Sequence, residues 1–536
     1  MPRARDKDAP PAHSPPIPLT GEGLTLPLLV RIARDYAPVE LSQAAKERML
    51  AARAALERAI ARGDRIYGVT TGFGKFNSIA VSPEQAHEHQ RNLIRSHAAG
   101  VGSYMNVDEV RAMMVLKANE FARGHSGIRP QIAEHLVTLL NAAVTPIIPE
   151  RGSVGASGDL APLSHLALFL IGEGGYALQG HLRGGLTSAK DLRDATKMFK
   201  TSKEALAHIE LTPLELEAKE GLALINGTSQ MAAVAALAVE DVWRVLRVGQ
   251  VAAAMSVEAL GGRPEAFDKR IHDLRPHPGQ WNVADNIRRL LDGSKLLARN
   301  GARVQDPYTL RAIPQVLGPV HDALTHAVTV LEREFHSVTD NPLIFPGDDA
   351  ILSGANFHGQ PLALLCDGLL PAVHTITGFA ERRIARLLAG GHGGLPAFLS
   401  PQPGAQSGLM VTQYTAAALA AESASLCHPA SVSSLPTSGD EEDYNSLGPI
   451  AARRVRQLAV LASQVVAIEL LCAATALDFA GGPSAPATRA AHAAVREIVA
   501  PQTADRSPAP DMEALNDRAW QQRLVAAVQT VTGGLN

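Results

Sequence analysis

The chain contains few cysteines and few aromatic residues. Among its 536 residues there are three cysteines, and Phe, Trp and Tyr together make up 4%. Cys366, Cys427 and Cys472 are widely spaced and form no CxxC pair, which excludes a disulfide framework and argues against a cysteine-based zinc site. The shortage of aromatic residues argues against a β-sandwich, since strands favour aromatic and β-branched side chains. Abundant alanine instead favours closely packed helices.

A strong excess of either charge is also missing. The formal net charge is −3 at pH 7, so neither a nucleic-acid partner nor a basic membrane-binding patch is indicated. The charged N-terminal residues are not followed by an apolar run of the kind found in secretory signals, and we expect a cytoplasmic protein. The apolar run after Arg456 contains Gln457, Gln464 and Glu469, which favours a core helix over a membrane span.

Helical periodicity dominates the remaining pattern. Apolar residues recur at steps of three and four at Leu41, Ala45, Met49, Ala52 and Leu56. Strand signals are few and short. We therefore expect a mainly α fold, a large bundle of long helices with a loop-rich N-terminal part. The pattern predicts a disordered arm over 1–20, a loop-rich N-terminal region over 21–230 that carries the chemistry, and a long-helix bundle over 231–536, with both regions forming one catalytic unit.

The stretch GSVGASGDL at 152–160 permits an unusual reaction. Glycine lets the chain bend sharply because it has no Cβ, so the amide nitrogen of Gly158 can attack the carbonyl carbon of Ala156 and close a five-membered ring. Loss of water from the ring and from the Ser157 side chain then leaves an exocyclic methylidene, which is an electrophile. An ordinary alternative is that Ser157 or Asp159 caps the helix that follows. The two interpretations are compatible, because a helix can begin just after the ring.

Other loops carry polar groups suited to binding or catalysis. Tyr67 lies in the glycine-rich loop 67–74, where it is either a core anchor or a catalytic group on a lid. Arg311 can bind a carboxylate through two parallel hydrogen bonds, or form a surface ion pair. Asn226 and Gln305 are neutral amides that can hydrogen-bond a ligand or cap a loop. Each of these candidates therefore has an ordinary structural alternative.

Histidine and acidic residues give weaker signals. His97 can contact a ligand, although a lone histidine is more often a structural residue. The acidic run 441–443 is typical of a solvated face, but one member can act as an acid or base if it is buried beside a ligand. His87 and His89 are two residues apart, which is the wrong spacing for metal ligands on one helix face. We therefore expect no metal site.

Six segments together closely resemble the histidine, phenylalanine and tyrosine ammonia-lyase family, whose members use the prosthetic group 4-methylidene-imidazol-5-one (MIO). Six matches in the same order are specific, and the likeness runs from about Leu24 to Arg454 and more loosely to the C-terminus. The matching segments are YGVTTGFG at 67–74, residues 152–163, Asn226-Gly227-Thr228, residues 305–311, Asp340-Asn341-Pro342-Leu343 and Asn356-Phe357-His358.

This resemblance implies a fold, an assembly and a cofactor. It implies a mainly helical homotetramer whose active sites are built from loops of three subunits. It also implies that Ala156, Ser157 and Gly158 cyclise to form MIO without a metal, and that the N-terminal region 21–230 carries this group. The reaction implied is elimination of ammonia from an aromatic amino acid, which leaves an aryl acrylate.

The resemblance further implies roles for single residues. Tyr67 matches the base that removes the β-proton, and we expect its pKa to lie well below the reference value of about 10. Arg311 matches the residue that binds the substrate carboxylate, and this contact holds the substrate in the geometry needed for elimination. Asn226 and Tyr308 match residues that support MIO and the substrate amine. The other matching pocket residues are Gln305 and Phe357.

The choice of substrate rests on fewer residues. Ser96-His97 resembles the selectivity pair of histidine lyases, and Met410 and Glu442 match histidine-lyase pocket positions, where Glu442 can bind an imidazole N–H and act in catalysis. These matches predict conversion of L-histidine to trans-urocanate. The segment 438–448 departs from the histidine-lyase pattern, and Asn445-Ser446-Leu447-Gly448 looks more like the phenylalanine branch. A tyrosine or phenylalanine ammonia-lyase therefore stays an alternative, as does an MIO aminomutase.

Overall fold

Helices account for most of the described chain. The computed structural model describes residues 15–82, 85–181, 197–298 and 304–535. Packing divides the chain into two compact units. Unit 1 comprises Met1–Leu237, Val328–Cys366 and Ala430–Arg453, and unit 2 comprises Ala238–Ala327, Asp367–Pro429 and Arg454–Asn536.

The helices vary from one turn to more than eight turns. Those of unit 1 are Leu26–Arg34, Gln43–Ala61, Ala86–His97, Val107–Phe121, Pro130–Asn141, Leu160–Leu170, Ser202–His208 and Glu220–Ile225. Those of unit 2 are Lys269–Asp273, Pro278–Leu291, Tyr308–Arg311, Met410–Ser425, Pro486–Ile498, Ala509–Leu515 and Arg518–Thr532. Four of the five unit boundaries fall within the long helices Ser229–Ala259, Ile313–Phe335, Gln360–Leu388 and Gly448–Phe479, and the fifth lies between Pro429 and Ala430. The predicted mainly α fold of long helices is confirmed.

The strands of the described ranges are three or four residues long and form small sheets. A parallel pair joins Ile17–Leu19 to Val39–Leu41. The antiparallel pairings are Val101–Tyr104 with Pro149–Arg151, Val144–Pro146 with Ala177–Gln179, Ala177–Gln179 with Lys197–Phe199, and Leu343–Phe345 with Ala350–Leu352.

Local capping chemistry explains where some helices begin. The helix Gln43–Ala61 follows Ser42, whose Oγ accepts a hydrogen bond from the amide of Ala45 at 3.2 Å. Such an N-cap satisfies an amide that has no partner inside the helix. The apolar face predicted from the sequence is buried, with at most 1% exposure at Ala45, Met49, Ala52 and Leu56.

One buried arginine caps the ends of two helices in unit 1. The guanidinium of Arg111 is fully buried and donates three hydrogen bonds of 2.9–3.0 Å to carbonyls in the last turns of Leu26–Arg34 and Pro130–Asn141. The acceptors are Ile32, Ala33 and Leu140. Burial lowers the pKa of Arg111 to about 10, so it stays charged at neutral pH. It therefore binds carbonyls at the ends of both helices and complements both helix dipoles.

Two helices within the described residues are long and apolar enough to cross a membrane by length and composition. In Gln360–Leu388, 56% of the most apolar 18-residue stretch is buried within the protein, and in Gly448–Phe479 the buried share of that stretch is 89%. The second helix contains the apolar run after Arg456. Burial on nearly all sides is typical of a helix in the core of a protein, which agrees with the prediction from the sequence.

Part of the predicted disordered arm is ordered. Residues 1–14 lie outside the described residues, but Ile17–Leu19 is paired with Val39–Leu41, so the prediction of disorder is wrong at 17–19. The predicted division near residue 230 stays a prediction. The compact units place 328–366 and 430–453 with the N-terminal part. Sequence order does not reveal such discontinuous units, because contacts between distant segments define them.

Candidate active site

A tight turn lies at the centre of the segment predicted to cyclise. The carbonyl oxygen of Gly155 accepts a hydrogen bond from the amide of Gly158 at 3.3 Å, which closes the turn over Ala156 and Ser157. Ser157 has a φ of +48°, a left-handed conformation that residues with a side chain seldom adopt. A Cβ on Gly158 would lie 2.0 Å from the carbonyl oxygen of Gly227. Only glycine fits at position 158. The closed turn shows that the backbone is already bent sharply where the ring is predicted to form.

Hydrogen bonds hold this turn from both sides. The amide of Gly227 donates to the carbonyl oxygen of Ser157 at 3.1 Å, and the carbonyl oxygen of Gly227 accepts from the amide of Asp159 at 2.8 Å. The Oγ of Ser153 donates to the carbonyl oxygen of Gly158 at 2.9 Å. Because these backbone groups are paired, the turn is held in one conformation.

Asp159 caps a helix other than the one that follows it. The helix Leu160–Leu170 has no side-chain capping bond, so the prediction that Ser157 or Asp159 caps it is wrong. Instead the Oδ2 of Asp159 accepts from the amides of Gln230 and Met231, at 2.8 and 3.0 Å, in the first turn of the helix beginning at Ser229. Burial outweighs these two hydrogen bonds and raises the pKa of Asp159 to about 7. The carboxyl group therefore sits near its titration point at neutral pH.

A cavity of about 1050 Å³ lies beside the turn in unit 1. Its lining includes these predicted site residues: Tyr67, His97, Ser157, Asn226, Phe357 and Glu442. They come from distant parts of the sequence, and the fold brings them together. Lining residues that the sequence did not predict for the site include Arg65, Lys75, His89 and Asn92.

One face of the helix Ala86–His97 follows the cavity. His89, Asn92 and Ser96 line it together with His97, and steps of three and four residues place side chains on the same face of a helix. Extending this spacing backwards from Ser96 is the signal that could have found Asn92 and His89. The Nδ1 of His97 lies 2.9 Å from the Oγ of Ser96, so the predicted selectivity pair is in contact.

Tyr67 lines the cavity with its hydroxyl group bound to its own loop. Its Oη accepts a hydrogen bond from the amide of Gly74 at 2.9 Å, and its ring meets Phe73 edge-on at 6.3 Å. Burial raises the pKa of Tyr67, the Gly74 amide opposes this effect, and the carboxylates Glu442 and Glu441 raise it further. The expectation of a lowered pKa is therefore wrong for this chain, because burial and nearby negative charge disfavour a phenolate.

The carboxylate of Glu442 faces the turn. Its Oε1 accepts a hydrogen bond from the Oγ of Ser157 at 3.2 Å, and its Oε2 accepts from the Oγ1 of Thr437 at 2.9 Å. Thr437 and Glu442 also pair through their backbones, with the amide of Thr437 2.9 Å from the carbonyl oxygen of Glu442. Glu441 lines the same cavity. The acidic run is thus partly inside the site and is not only a solvated face.

A buried charge network surrounds Asn226. The Nδ2 of Asn226 donates to the Oδ1 of Asp340 at 3.2 Å and to the carbonyl oxygen of Asn341 at 3.3 Å. The Nζ of Lys219 donates to the Oδ2 of Asp340 at 2.6 Å, and the Nζ of Lys117 donates to the carbonyl oxygen of Asn226 at 2.5 Å. Neither lysine, nor the role of Asp340, was predicted from the sequence, since no local pattern indicates that such charges are buried.

The remaining predicted residues belong to unit 2. Arg311 donates through Nη1 to the Oε1 of Gln305, and its guanidinium carbon lies 4.8 Å from the ring centroid of Tyr308. These three residues line a cavity of about 470 Å³ in that unit, and Tyr308 is 72% exposed. Met410 begins the helix Met410–Ser425 and lines neither cavity. The predicted residues therefore form two groups, one around the cavity of each unit, and Met410 belongs to neither group.

Comparison with known proteins identifies the family. A family profile for aromatic amino acid lyases matches residues 24–497. This chain belongs to the aromatic amino acid lyase family. The predicted family is confirmed, and the chain is a carbon–nitrogen lyase.

Relatives of this aromatic amino acid lyase span nearly its whole length. It is 49% identical to the histidine ammonia-lyase of Symbiobacterium thermophilum, over 96% of this chain and 99% of the relative. The histidine ammonia-lyase of Deinococcus radiodurans is 45% identical, with 94% of each chain covered. Among solved structures, histidine ammonia-lyase from Trypanosoma cruzi has a TM-score of 0.86 and 35% identity, with 96% and 95% covered. Tyrosine aminomutase from Streptomyces globisporus has a TM-score of 0.89 and 38% identity, with 97% and 99% covered.

The residues around the turn fit the MIO group that the lyases of this family use. The backbone is bent where the ring would close, and Gly158 is the residue type that this bend allows. The Oδ1 of Asn226 and the Oδ1 of Asp159 are among the buried oxygen atoms that have no hydrogen-bond partner within the described ranges. Polar atoms are seldom left unpaired in a protein interior, so both can serve a group that forms or binds there. In the same ranges, no cluster of three or more His, Cys, Asp or Glu side chains could hold a metal ion.

Proposed function

We propose that this lyase is a histidine ammonia-lyase, which converts L-histidine to trans-urocanate and ammonia. The observation that carries the proposal is the turn over Ala156 and Ser157, which adjoins a cavity lined by Tyr67, His97 and Glu442. The two bacterial histidine ammonia-lyases that share 49% and 45% identity with this chain support histidine as the substrate.

The residues of unit 1 serve the prosthetic group and the reacting carbon. MIO formed from Ala156, Ser157 and Gly158 supplies an electrophilic carbon that makes ammonia easier to expel. The backbone of Gly227 holds the segment in place through its hydrogen bonds to Ser157 and Asp159. Asn226, the preceding residue, is itself held by its hydrogen bond to Asp340. Tyr67 acts in its phenolate form, which the amide of Gly74 stabilises, and it becomes a neutral phenol when its Oη accepts the β-proton.

The cavity also contains groups that can select an imidazole ring. Glu442 accepts an imidazole N–H and takes part in catalysis, and His97 contacts the same ring. A phenyl ring offers no N–H, so the bond from an imidazole N–H to this carboxylate is not made, which disfavours phenylalanine. Phe357 supplies an apolar wall of the cavity.

Residues of unit 2 complete the site in the assembled enzyme. We propose a homotetramer in which the loop carrying Gln305, Tyr308 and Arg311 serves the cavity of another copy. Arg311 binds the substrate carboxylate, Tyr308 supports the substrate amine and MIO, and Gln305 contacts the pocket. Met410 contributes a further pocket position. The 72% exposure of Tyr308 in the single chain supports a role at a contact between copies.

We place the enzyme in the cytoplasm, acting on a free amino acid. Its partners are its own copies, and its reaction requires neither a nucleic acid nor a membrane nor a metal ion. The net charge of −3 and the 89% burial of the most apolar helix window support this placement.

Intact mass and product analysis test the function together. Ring formation removes two water molecules, so we expect a purified chain lighter than the encoded sequence by that amount. L-histidine, L-tyrosine and L-phenylalanine are then supplied separately, and the ultraviolet band of the conjugated acrylate is followed. Urocanate from histidine alone is expected. The full encoded mass would overturn the lyase mechanism, and coumarate or cinnamate as the main product would overturn the choice of histidine.

Two observations support a second candidate. The chain is 38% identical to a tyrosine aminomutase of solved structure, and Asn445-Ser446-Leu447-Gly448 departs from the histidine-lyase pattern. An aminomutase returns ammonia to the β-carbon, so a β-amino acid among the products would establish it. Tyrosine and phenylalanine lyase activity are distinguished by the acrylate formed.

Coexpression of two inactive chains tests the shared site. Tyr67→Phe and Arg311→Met are each expected to be nearly inactive alone, because each lacks one essential group. In mixed tetramers, some cavities combine the intact Tyr67 of one chain with the intact Arg311 of another. We therefore expect activity to return on coexpression. A mixed tetramer without recovered activity would show that each chain uses its own Arg311.

A further inference from the structure

The hydrogen-bond partners of Asn226 determine how its side chain is oriented. Its Nδ2 lies 3.2 Å from the Oδ1 of Asp340 and 3.3 Å from the carbonyl oxygen of Asn341. Both partners are acceptors, and the flipped carboxamide would place oxygen against oxygen. The nitrogen therefore faces these two groups. The Oδ1 of Asn226 is left buried and without a hydrogen-bond partner in the part of the chain that the structure describes.

Asp340 can act only as an acceptor because it is charged. Its Oδ2 lies 2.6 Å from the Nζ of Lys219, and both side chains are 0% exposed. Its Oδ1 also accepts from the amide of Asn341 at 2.7 Å. Burial raises the pKa of Asp340, but the ammonium groups of Lys219 and Lys117 lower it more strongly, and the net pKa lies below the ordinary value. An ionised carboxylate has no proton to donate.

We propose that Asp340, paired with Lys219, is a positioning residue that orients the carboxamide of Asn226 so that its Oδ1 accepts an N–H of the substrate's ammonium group. This inference rests on the proposed ammonia-lyase function, and Asp340 itself does not touch the substrate.

The chemistry of an ammonium group explains why the orientation matters. The group has three donors and no acceptor, so the Oδ1 of Asn226 attracts it and the Nδ2 would repel it. Asp340 prevents the second arrangement, because rotation of the carboxamide would set Oδ1 against a buried carboxylate. The Oδ1 of Asn226, which is buried without a partner among the described residues, also gains a hydrogen bond when the ammonium binds.

A double-mutant cycle on the assembled enzyme tests this coupling. Asp340→Asn keeps the shape of the side chain but adds a donor, which allows the carboxamide of Asn226 to turn around. The values of kcat and KM for L-histidine are measured for Asp340→Asn, for Asn226→Ala and for the double variant. We expect Asp340→Asn to lower kcat by about tenfold in the native background, and to have little effect when Asn226 is already alanine.

A binding measurement supplies a second readout that does not depend on turnover. In the Ser157→Ala background the chain cannot form MIO, so ligands bind without reacting. Calorimetric titration compares L-histidine with imidazolepropionate, which lacks the amino group. We expect Asp340→Asn to weaken binding of L-histidine by about fivefold and to leave binding of imidazolepropionate unchanged.

Asp108→Asn is the matched control. Asp108 pairs with Arg34 at 2.7 Å in unit 1, and these side chains are 10% and 11% exposed, so this variant also removes a carboxylate from a buried ion pair. It is expected to lower the melting temperature without changing kcat. If Asp340→Asn prevents folding, Lys219→Met/Asp340→Asn removes both charges together and replaces it in the cycle.

The outcomes separate the positioning role from the function on which it rests. An equal loss of kcat from Asp340→Asn in both backgrounds would overturn the inference, as would equal weakening of both ligands. Absence of product from the native enzyme with every amino acid tested would overturn the proposed function. In that case the titration still decides the inference, because a site that does not distinguish L-histidine from imidazolepropionate has no ammonium-accepting oxygen to position.

Discussion

Replacing Gly227 by alanine should disturb the turn that forms the prosthetic group. Gly227 has a φ of +106°, and a Cβ there would lie 2.4 Å from the Oγ1 of Thr339 and 3.1 Å from its carbonyl oxygen. Left-handed backbone costs a residue with a side chain about 1–2 kcal/mol, and overpacking costs about 1–3 kcal/mol. We therefore expect Gly227→Ala to lower the free energy of unfolding by about 2–5 kcal/mol.

The functional consequence follows from the hydrogen bonds of Gly227. Its amide and carbonyl groups bind Ser157 and Asp159 on either side of Gly158, so a shift of this backbone is passed directly to the turn. We expect part of the purified Gly227→Ala protein to keep the two water molecules that ring formation removes. Urea denaturation measures the stability, and intact-mass spectrometry measures the fraction of chains that have cyclised.

Gly63→Ala provides the matched control for this prediction. Gly63 has a φ of +80°, and a Cβ there would meet nothing within 4 Å, so this variant experiences the backbone strain alone, about 1–2 kcal/mol. It should cyclise completely. If Gly227→Ala also cyclises completely and is no less stable than Gly63→Ala, then the close approach of Gly227 does not hold the turn and the reasoning is refuted.

Other residues give predictions with simpler readouts. Arg111→Met leaves three buried carbonyls without their donor, and urea denaturation should show a loss of at least about 3 kcal/mol; a loss below 1 kcal/mol would contradict the capping role. Tyr67→Phe should lower kcat by about 10²–10⁴ while the chain still loses two water molecules, and a kcat close to that of the native enzyme would exclude Tyr67 as the base. Because the pKa of Tyr67 is raised, the phenolate fraction grows as pH rises, so kcat/KM should increase by up to about tenfold per pH unit through neutral pH. A plateau that begins at neutral pH would show that another group, or a lowered pKa, governs the rate.

Local sequence patterns predicted much of this protein. The family, the lyase class and the mainly α fold are confirmed, and all three rest on motifs and periodicities that are read along the chain. Residues 152–158 could be interpreted from the local sequence, because the need for glycine at a sharp bend is a property of the backbone itself. The motif around Tyr67 likewise identified a residue that lines the cavity, without knowledge of what lies opposite.

Predictions that depended on distant residues were less successful. The lowered pKa expected for Tyr67 was wrong, because burial and the carboxylates of Glu441 and Glu442 come from the fold and from a segment more than 370 positions away in the sequence. The capping prediction for Asp159 was wrong for the same reason. Its carboxylate has no bond to the adjacent helix and binds amides at Gln230 and Met231 instead.

The order of amino acids alone specifies which residue types are available for the reaction, and where helices and sharp turns can form. These properties depend on neighbours along the chain, so they can be read from short segments. Folding is what makes Lys219 and Asp340 a buried ion pair against Asn226 and leaves the Oδ1 of that carboxamide without a partner among the described residues. Burial, charge and hydrogen-bond direction arise from contacts between segments more than 100 residues apart, which no local pattern specifies.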